Sequence, residues 1–196
     1  MAMHHPEYVR RVRVLCDRYE IHFIADEIAV GFGRTGTFFA HEQANVRPDF
    51  LCLSKGITGG YLPLSVVLST DAIFEAFYDD ETARGFLHSH SYTGNPLACS
   101  AALAVLDIFR DDGVIEANYQ KAESFDTLTS RFRDDERIEH FRRRGMIWAF
   151  DVPDAPPGFA RAFAEAALLE GALLRPIGNT VYFMPPYVMD YDEWSL

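Results

Sequence analysis

Three polar features follow apolar runs, at points where a folded sheet would display them. Asp26 closes the run Ile21–Ala25 (IHFIA), Lys55 follows Phe50–Ser54 (FLCLS), and His88–Asn95 reads HSHSYTGN. In open α/β sheets, ligands bind outside the carboxyl ends of the strands, so all three lie where a site is expected. A strand-end lysine is most often an ordinary surface charge. Followed here by Gly56-Ile57-Thr58-Gly59-Gly60, it can instead be a partly desolvated amine that forms a Schiff base. The glycines let backbone approach a bulky ring. Asp26 alone reads as a turn or cap residue. Beside such a lysine it becomes the anion opposite a pyridinium nitrogen, and that pair turns a ring into an electron sink.

Other polar groups extend the pattern. Ser91 and Thr93 offer hydroxyls just before Asn95-Pro96 opens a helix, a layout suited to a phosphate. His88 and His90 lack a third ligand, so no metal site is expected. Arg175 follows Ala172-Leu173-Leu174 and precedes Pro176. It reads either as a surface charge or as a bidentate clamp for a substrate carboxylate. Gly31–Gly36 (GFGRTG) matches the dinucleotide pattern G-x-G-x-x-G by letter. It is set aside, because Asp26–Val30 separate it from the strand and no long helix fits before Pro48.

The elements that must carry these groups follow from periodicity. His5–Glu20 is expected as a helix, with Pro6 in its first turn and Val9, Val12, Leu15, Cys16 and Tyr19 at helical spacing. Ile21–Ala25, Phe50–Ser54 and Leu64–Ser69 are expected as buried strands. Thr70-Asp71 opens a helix with Ile73, Phe74 and Phe77 on one face, and Asn95-Pro96 opens another that runs to about Phe109. Strands alternating with helices predict an α/β domain with a mainly parallel sheet. Beyond Arg110 the character changes. Asp111–Arg144 is charge-rich and reads as an exposed helix and a connection. Ile147–Val152, Leu173–Leu174 and Val181–Met184 read as strands, with a helix at Phe159–Glu170. The expected organisation is an α/β unit over 1–115 and a small α+β unit over 116–196. The helix feeding straight into a central strand, and the stop at Trp194-Ser195-Leu196, make both ends look cut, so an incomplete chain is expected.

Bulk properties exclude several classes. The chain has 196 residues, 48% of them hydrophobic, enough for one or two domains with a real core. A formal net charge of -11 with no basic tract argues against nucleic acid and anionic membrane as partners. No apolar run approaches 18 residues, so no membrane span is expected. Met1–Arg13 is basic but lacks the apolar core of a secretory signal. Cys16, Cys52 and Cys99 are odd in number and widely spaced, and read as buried thiols in a reducing cytoplasm rather than as a disulfide framework or a metal site.

The motifs ADEI, GFGRTG, CLSKGITGGYLPLS and HSHSYTGNPLACSAAL occur in that order, with Asp26 and Lys55 separated by 29 positions. Together they resemble the class III aminotransferases of fold type I, which use pyridoxal 5'-phosphate. Arg175–Val188 (RPIGNTVYFMPPYV) is similar to the branch of that family that serves biotin synthesis. The resemblance implies a role for each residue. Lys55 carries the cofactor as a Schiff base and shuttles the proton. Asp26 pairs with the pyridine nitrogen. Ser91, where the family often has Thr, reaches the cofactor phosphate of the neighbouring subunit of a homodimer. Arg175 binds the carboxylate of the keto substrate, and Tyr182 lines the pocket. The implied reaction aminates 8-amino-7-oxononanoate to 7,8-diaminononanoate, with S-adenosylmethionine or lysine as amino donor. Ala29 stands where many class III members carry Gln, which agrees with the biotin branch and disagrees with the ornithine and 4-aminobutyrate branches. The half that supplies a Gly-Ser phosphate turn and a ring-stacking aromatic is not in the chain, so it is expected to be inactive or very weak alone. Rival expectations are an ω-amino acid transaminase and a non-catalytic remnant.

Overall fold

Shielded and half-shielded side chains alternate along FLCL. In the computed structural model, which describes residues 1–195, that run is the central strand β2 (Phe50–Leu53) of a three-stranded sheet. β1 (Ile24–Asp26) lies parallel to it, with Ile24 opposite Phe50, Ala25 opposite Leu51 and Asp26 opposite Cys52. β3 (Val66–Ser69) lies on its other side and runs antiparallel. The mainly parallel sheet expected from the sequence is thus parallel only between β1 and β2. The connection from β2 to β3 holds a short 3₁₀ turn, Lys55–Thr58, rather than the crossover helix that a parallel return requires.

One face of this sheet buries Ala25, Leu51 and Leu53 against Phe32, Ile57 and Ala102. Ala102 belongs to α3 (Pro96–Asp111), which begins where Asn95 Oδ1 accepts from the Leu97 N–H at 3.0 Å and Pro96 enters the first turn. α1 (Pro6–Arg18) is likewise capped by His5, whose ring nitrogen accepts from the Glu7 N–H. α2 (Asp71–Glu75) is a single short turn of helix. Phe74 on it and Phe77 just after it, with Tyr61, Tyr78, Phe86 and Leu87, form exposed apolar surface on this unit. Among the described residues no helix is long and apolar enough to cross a membrane.

Asp49, just before β2, ties α1 to the sheet. Its Oδ2 accepts from Arg13 at 2.7 Å and from the Phe23 N–H at 2.6 Å. The Arg13 guanidinium and that N–H hold the Asp49 carboxyl below the usual carboxylate range. A depressed folded value means that the contribution is complete above the unfolded value and disappears as pH falls through the folded one. Urea midpoints are therefore expected to drop below about pH 4, and Asp49→Asn flattens that drop while lowering the midpoint at pH 7. An unchanged acid limb in the variant contradicts the assignment.

The second sheet is antiparallel, ordered β4 (Glu139–Arg144), β5 (Ile147–Asp151), β6 (Thr180–Phe183). β5 is its buried centre, and Trp148 packs with Met146 and with Ala122 and Phe125 of α4 (Val114–Thr129). α5 (Phe159–Leu169) follows β5, and α6 (Tyr191–Ser195) brings Trp194 onto the Phe125 ring, centroids 4.6 Å apart.

Several expectations change here. β4 lies inside the charge-rich stretch read as a connection; as an edge strand it keeps its arginines in ion pairs, Arg142 with Asp151 and Arg143 with Glu123. Leu173–Leu174 is not a strand. Gly171 ends α5 at φ +88, Pro176 offers no N–H, and among the described residues the leucines pair with no strand. Leu196, the last residue of the stop noted above, lies outside the described residues.

The chain divides into two compact units, one of residues 4–33 and 37–114, the other of 1–3, 34–36 and 115–196. A single cut near residue 115 does not describe this, because Arg34–Gly36 pack with the second unit. There the Met146 N–H donates to the Arg34 carbonyl at 3.1 Å, Arg34 Nη1 donates to the Pro185 carbonyl at 2.7 Å, and its guanidinium lies 4.4 Å from the Tyr187 ring centroid.

Candidate functional site

Parallel pairing puts the carboxyl ends of β1 and β2 on one edge of the sheet. Asp26 is the last residue of β1, directly opposite Cys52, about 4.8 Å away across the ladder. Lys55 comes three residues later, at most about 10 Å further along the chain. Both side chains are exposed. Asp26 Oδ1 accepts from the Ile28 N–H at 3.1 Å, and Oδ2 has no protein partner among the described residues. A carboxylate with one oxygen open can receive the N–H of a pyridinium ring. Lys55 Nζ likewise has no protein partner among them. The chain has one other lysine, Lys121, whose ammonium donates to the Tyr187 carbonyl.

The backbone at Lys55 is strained. Its φ of +47° is left-handed, a conformation that costs a residue with a Cβ roughly 1–2 kcal/mol. Its surroundings over-determine it. Ser54 Oγ donates to the Leu64 carbonyl at 2.7 Å, and the buried Thr58 Oγ1 to the Leu62 carbonyl at 2.6 Å, closing the loop from both sides. Gly56 lies flush on Phe32, where a Cβ would come within 2.9 Å of Phe32 Cδ2. Strain that the fold imposes at a strand-end lysine is characteristic of functional sites.

Phe32 explains the Gly31–Gly36 tract. It is left-handed at φ +57°, buried, and packed edge-on against Phe38 and Phe39. The tract forms turns, and only the short 3₁₀ turn Ala40–Ala44 follows it. No dinucleotide-type helix opens there; the tract supports the turn that begins at Lys55.

Glu27 escaped sequence reasoning. It is 3% exposed. Its carboxylate accepts from the Ala40 N–H at 2.6 Å, the His41 N–H at 2.8 Å and His41 Nδ1 at 2.8 Å. Because a carboxylate only accepts, His41 carries its proton on Nδ1. The one signal in the sequence was an acid immediately after Asp26, at the end of an apolar run.

The remaining candidates are not brought to Lys55 by any described contact. Ser91 is exposed in the turn before α3, where the His90 N–H donates to Thr93 Oγ1 at 3.1 Å and the Thr93 N–H to the His90 carbonyl at 2.9 Å. Arg175 and Tyr182 belong to the second unit. Arg175 is exposed in irregular chain, and Tyr182 is half-buried on β6 opposite Ala149. A cavity of about 790 Å³ in that unit, lined chiefly by side chains such as Phe132, Phe150, Phe163, Leu174 and Trp194, holds none of the five candidates. Its lining is mainly apolar, with the charged side chains of Arg131, Asp135, Arg137, Glu170 and Glu193 also on it.

Comparison with known proteins identifies the family. The aminotransferase class III family model matches residues 1–195. The adenosylmethionine-8-amino-7-oxononanoate aminotransferase of Helicobacter pylori is 46% identical over 98% of this chain, and that of Anoxybacillus flavithermus 40% over 95%. The chain spans 46% and 43% of the length of these relatives, a little under half. The crystal structure of the Methanocaldococcus jannaschii enzyme of that name superposes with a TM-score of 0.88 at 36% identity, covering 96% of this chain and 46% of that one. An amine transaminase from an uncultivated Pseudomonas species, described as PLP-bound, gives 0.87 at 34% identity over 96% of this chain and 45% of its own.

Proposed function

This chain belongs to the class III aminotransferases, and from that premise we propose that the protein carrying it aminates 8-amino-7-oxononanoate to 7,8-diaminononanoate in biotin synthesis. The family depends on pyridoxal 5'-phosphate. The observation that carries the reading is the register of β1 on β2, which sets Asp26 and Lys55 at one edge of one sheet. Similarity to proteins named for that reaction supports the choice of substrate.

The residues present fit the cofactor: an exposed amine, a carboxylate with an open oxygen, and a glycine-rich loop beside them. Bound there, pyridoxal 5'-phosphate supplies a ring that takes up the electron pair left when a substrate carbon loses its proton. Lys55 Nζ would hold the cofactor and would move the proton at the donor carbon. Asp26 Oδ2 accepts from the ring nitrogen and keeps it protonated. Ser91 Oγ donates to the cofactor phosphate of a neighbouring subunit in a homodimer, Arg175 pairs with the carboxylate of the keto acceptor, and Tyr182 lines the acceptor's pocket. The amino donor is S-adenosylmethionine, with lysine the alternative, and the setting is cytoplasmic.

The test is direct. The purified protein that carries this chain is incubated with pyridoxal 5'-phosphate, 8-amino-7-oxononanoate and either donor, and the diamine is followed by mass spectrometry. Diamine formation is expected. Amination of pyruvate by an ω-amino acid, with none of the 8-amino-7-oxononanoate, assigns the protein to another class III activity.

A further inference from the structure

We propose that Glu27 is the positioning residue for Asp26, and that its buried carboxylate fixes the direction in which Asp26 points. This rests on the reading of Asp26 as the partner of the cofactor's ring nitrogen. Asp26 and Glu27 are consecutive at the end of an extended strand, so their side chains leave on opposite faces. Asp26 is exposed and Glu27 is buried. Asp26 itself is held by a single local bond, from the Ile28 N–H at 3.1 Å, too little to aim a carboxylate. Glu27 is held from every side. Its N–H donates to the Cys52 carbonyl at 2.9 Å, which extends the β1–β2 ladder by one bond beyond Asp26. Its carbonyl accepts from the Gly31 N–H at 2.9 Å, and a Cβ at Gly31 would sit tightly, 3.0 Å from that oxygen. Its carboxylate draws in Ala40 and His41, thirteen and fourteen residues away, through two backbone N–H groups and one ring N–H. The His41 ring stacks on Phe39, centroids 5.7 Å apart, which orients the third donor.

The peptide between Asp26 and Glu27 therefore cannot rotate without breaking three charge-assisted hydrogen bonds in a buried site. Turning that peptide is what would swing the Asp26 carboxylate away from the ring. The charge on Glu27 matters because three donors converge on two oxygens. A glutamine offers one oxygen and one NH₂, so at least one N–H would face another donor.

The test reads ring protonation rather than turnover. Pyridoxal 5'-phosphate labelled with ¹⁵N at the ring nitrogen is loaded into the wild-type chain and into E27Q, H41Q and D26N, and the ¹⁵N shift is recorded. Wild type is expected at the protonated end and D26N near the unprotonated end. E27Q is expected to move in the D26N direction with Asp26 intact. H41Q keeps the carboxylate and loses one donor, so it moves less. A wild-type shift in loaded E27Q overturns the proposal and leaves the role of Asp26 standing. If E27Q does not fold, H41Q decides, and an unmoved shift there overturns it. Equal shifts in wild type and D26N sink the reading of Asp26 itself, and the proposal with it.

Discussion

Replacing Lys55 with alanine is expected to abolish covalent cofactor capture. The wild-type chain mixed with pyridoxal 5'-phosphate develops an absorption band that borohydride fixes to protein; the variant develops none. Turnover by the protein that carries this chain falls by at least the 10²–10⁴-fold, approximately, that a positioned base contributes. Lys55→Arg fails equally, since a guanidinium stays protonated and cannot attack an aldehyde. Folding is spared, because Lys55 is exposed and its amine bonds to no described residue. The left-handed backbone adds a contrast. Lys55→Gly relieves that strain and raises stability by up to about 1 kcal/mol while capture is lost. Activity and stability moving in opposite directions at one residue is what a strained catalytic position predicts. A Lys55→Ala chain that keeps a borohydride-fixable band removes Lys55 from its role.

The second large effect lies away from the chemistry. Gly145→Ala is expected to destabilise the carboxy-terminal unit by about 3 kcal/mol or more. Gly145 has φ +54°, and a Cβ there would come within 2.4 Å of the Thr35 carbonyl carbon and 2.5 Å of the Gly36 nitrogen. Those are backbone atoms and cannot turn aside as a side chain does. The Thr35–Gly36 segment would have to leave, and with it the hydrogen bond from Met146 to Arg34. Thermal unfolding followed by the fluorescence of Trp148 and Trp194, both in this unit, reports the loss. A midpoint within a degree of wild type contradicts the packing described.

The same two residues show what could be read in advance. The strand-end positions of Lys55 and Asp26 were legible because strands announce themselves by apolar runs, and polar residues closing such runs stand out. The resemblance of the motifs to those of a known family then pointed to the family. Helices α1 and α3 were legible because Pro6 and Pro96 mark first turns and the apolar period is clean. Gly145 was not legible as a contact point. Its partner, Thr35–Gly36, is 110 residues away, and no local signal encodes which backbone a glycine will meet. β4 was hidden for a related reason: EHFRRR has the charge of a loop, and only pairing to β5 and ion pairs with Asp151 and Glu123 make it a strand. Leu173–Leu174 erred the other way, since apolar character without a partner strand makes no ladder. Glu27 was missed because an acid beside an acid reads as surface charge, and its three donors come from a turn that sequence cannot dock.

Peptide mapping of the wild-type chain after loading with pyridoxal 5'-phosphate and borohydride reduction decides most directly whether this strand edge holds the cofactor. With two lysines to choose between, the outcome is sharp. The cofactor mass is expected on the peptide containing Lys55, with Lys121 bare because its ammonium is engaged by the Tyr187 carbonyl. Cofactor found on Lys121, spread evenly over both, or absent from the protein contradicts the assignment.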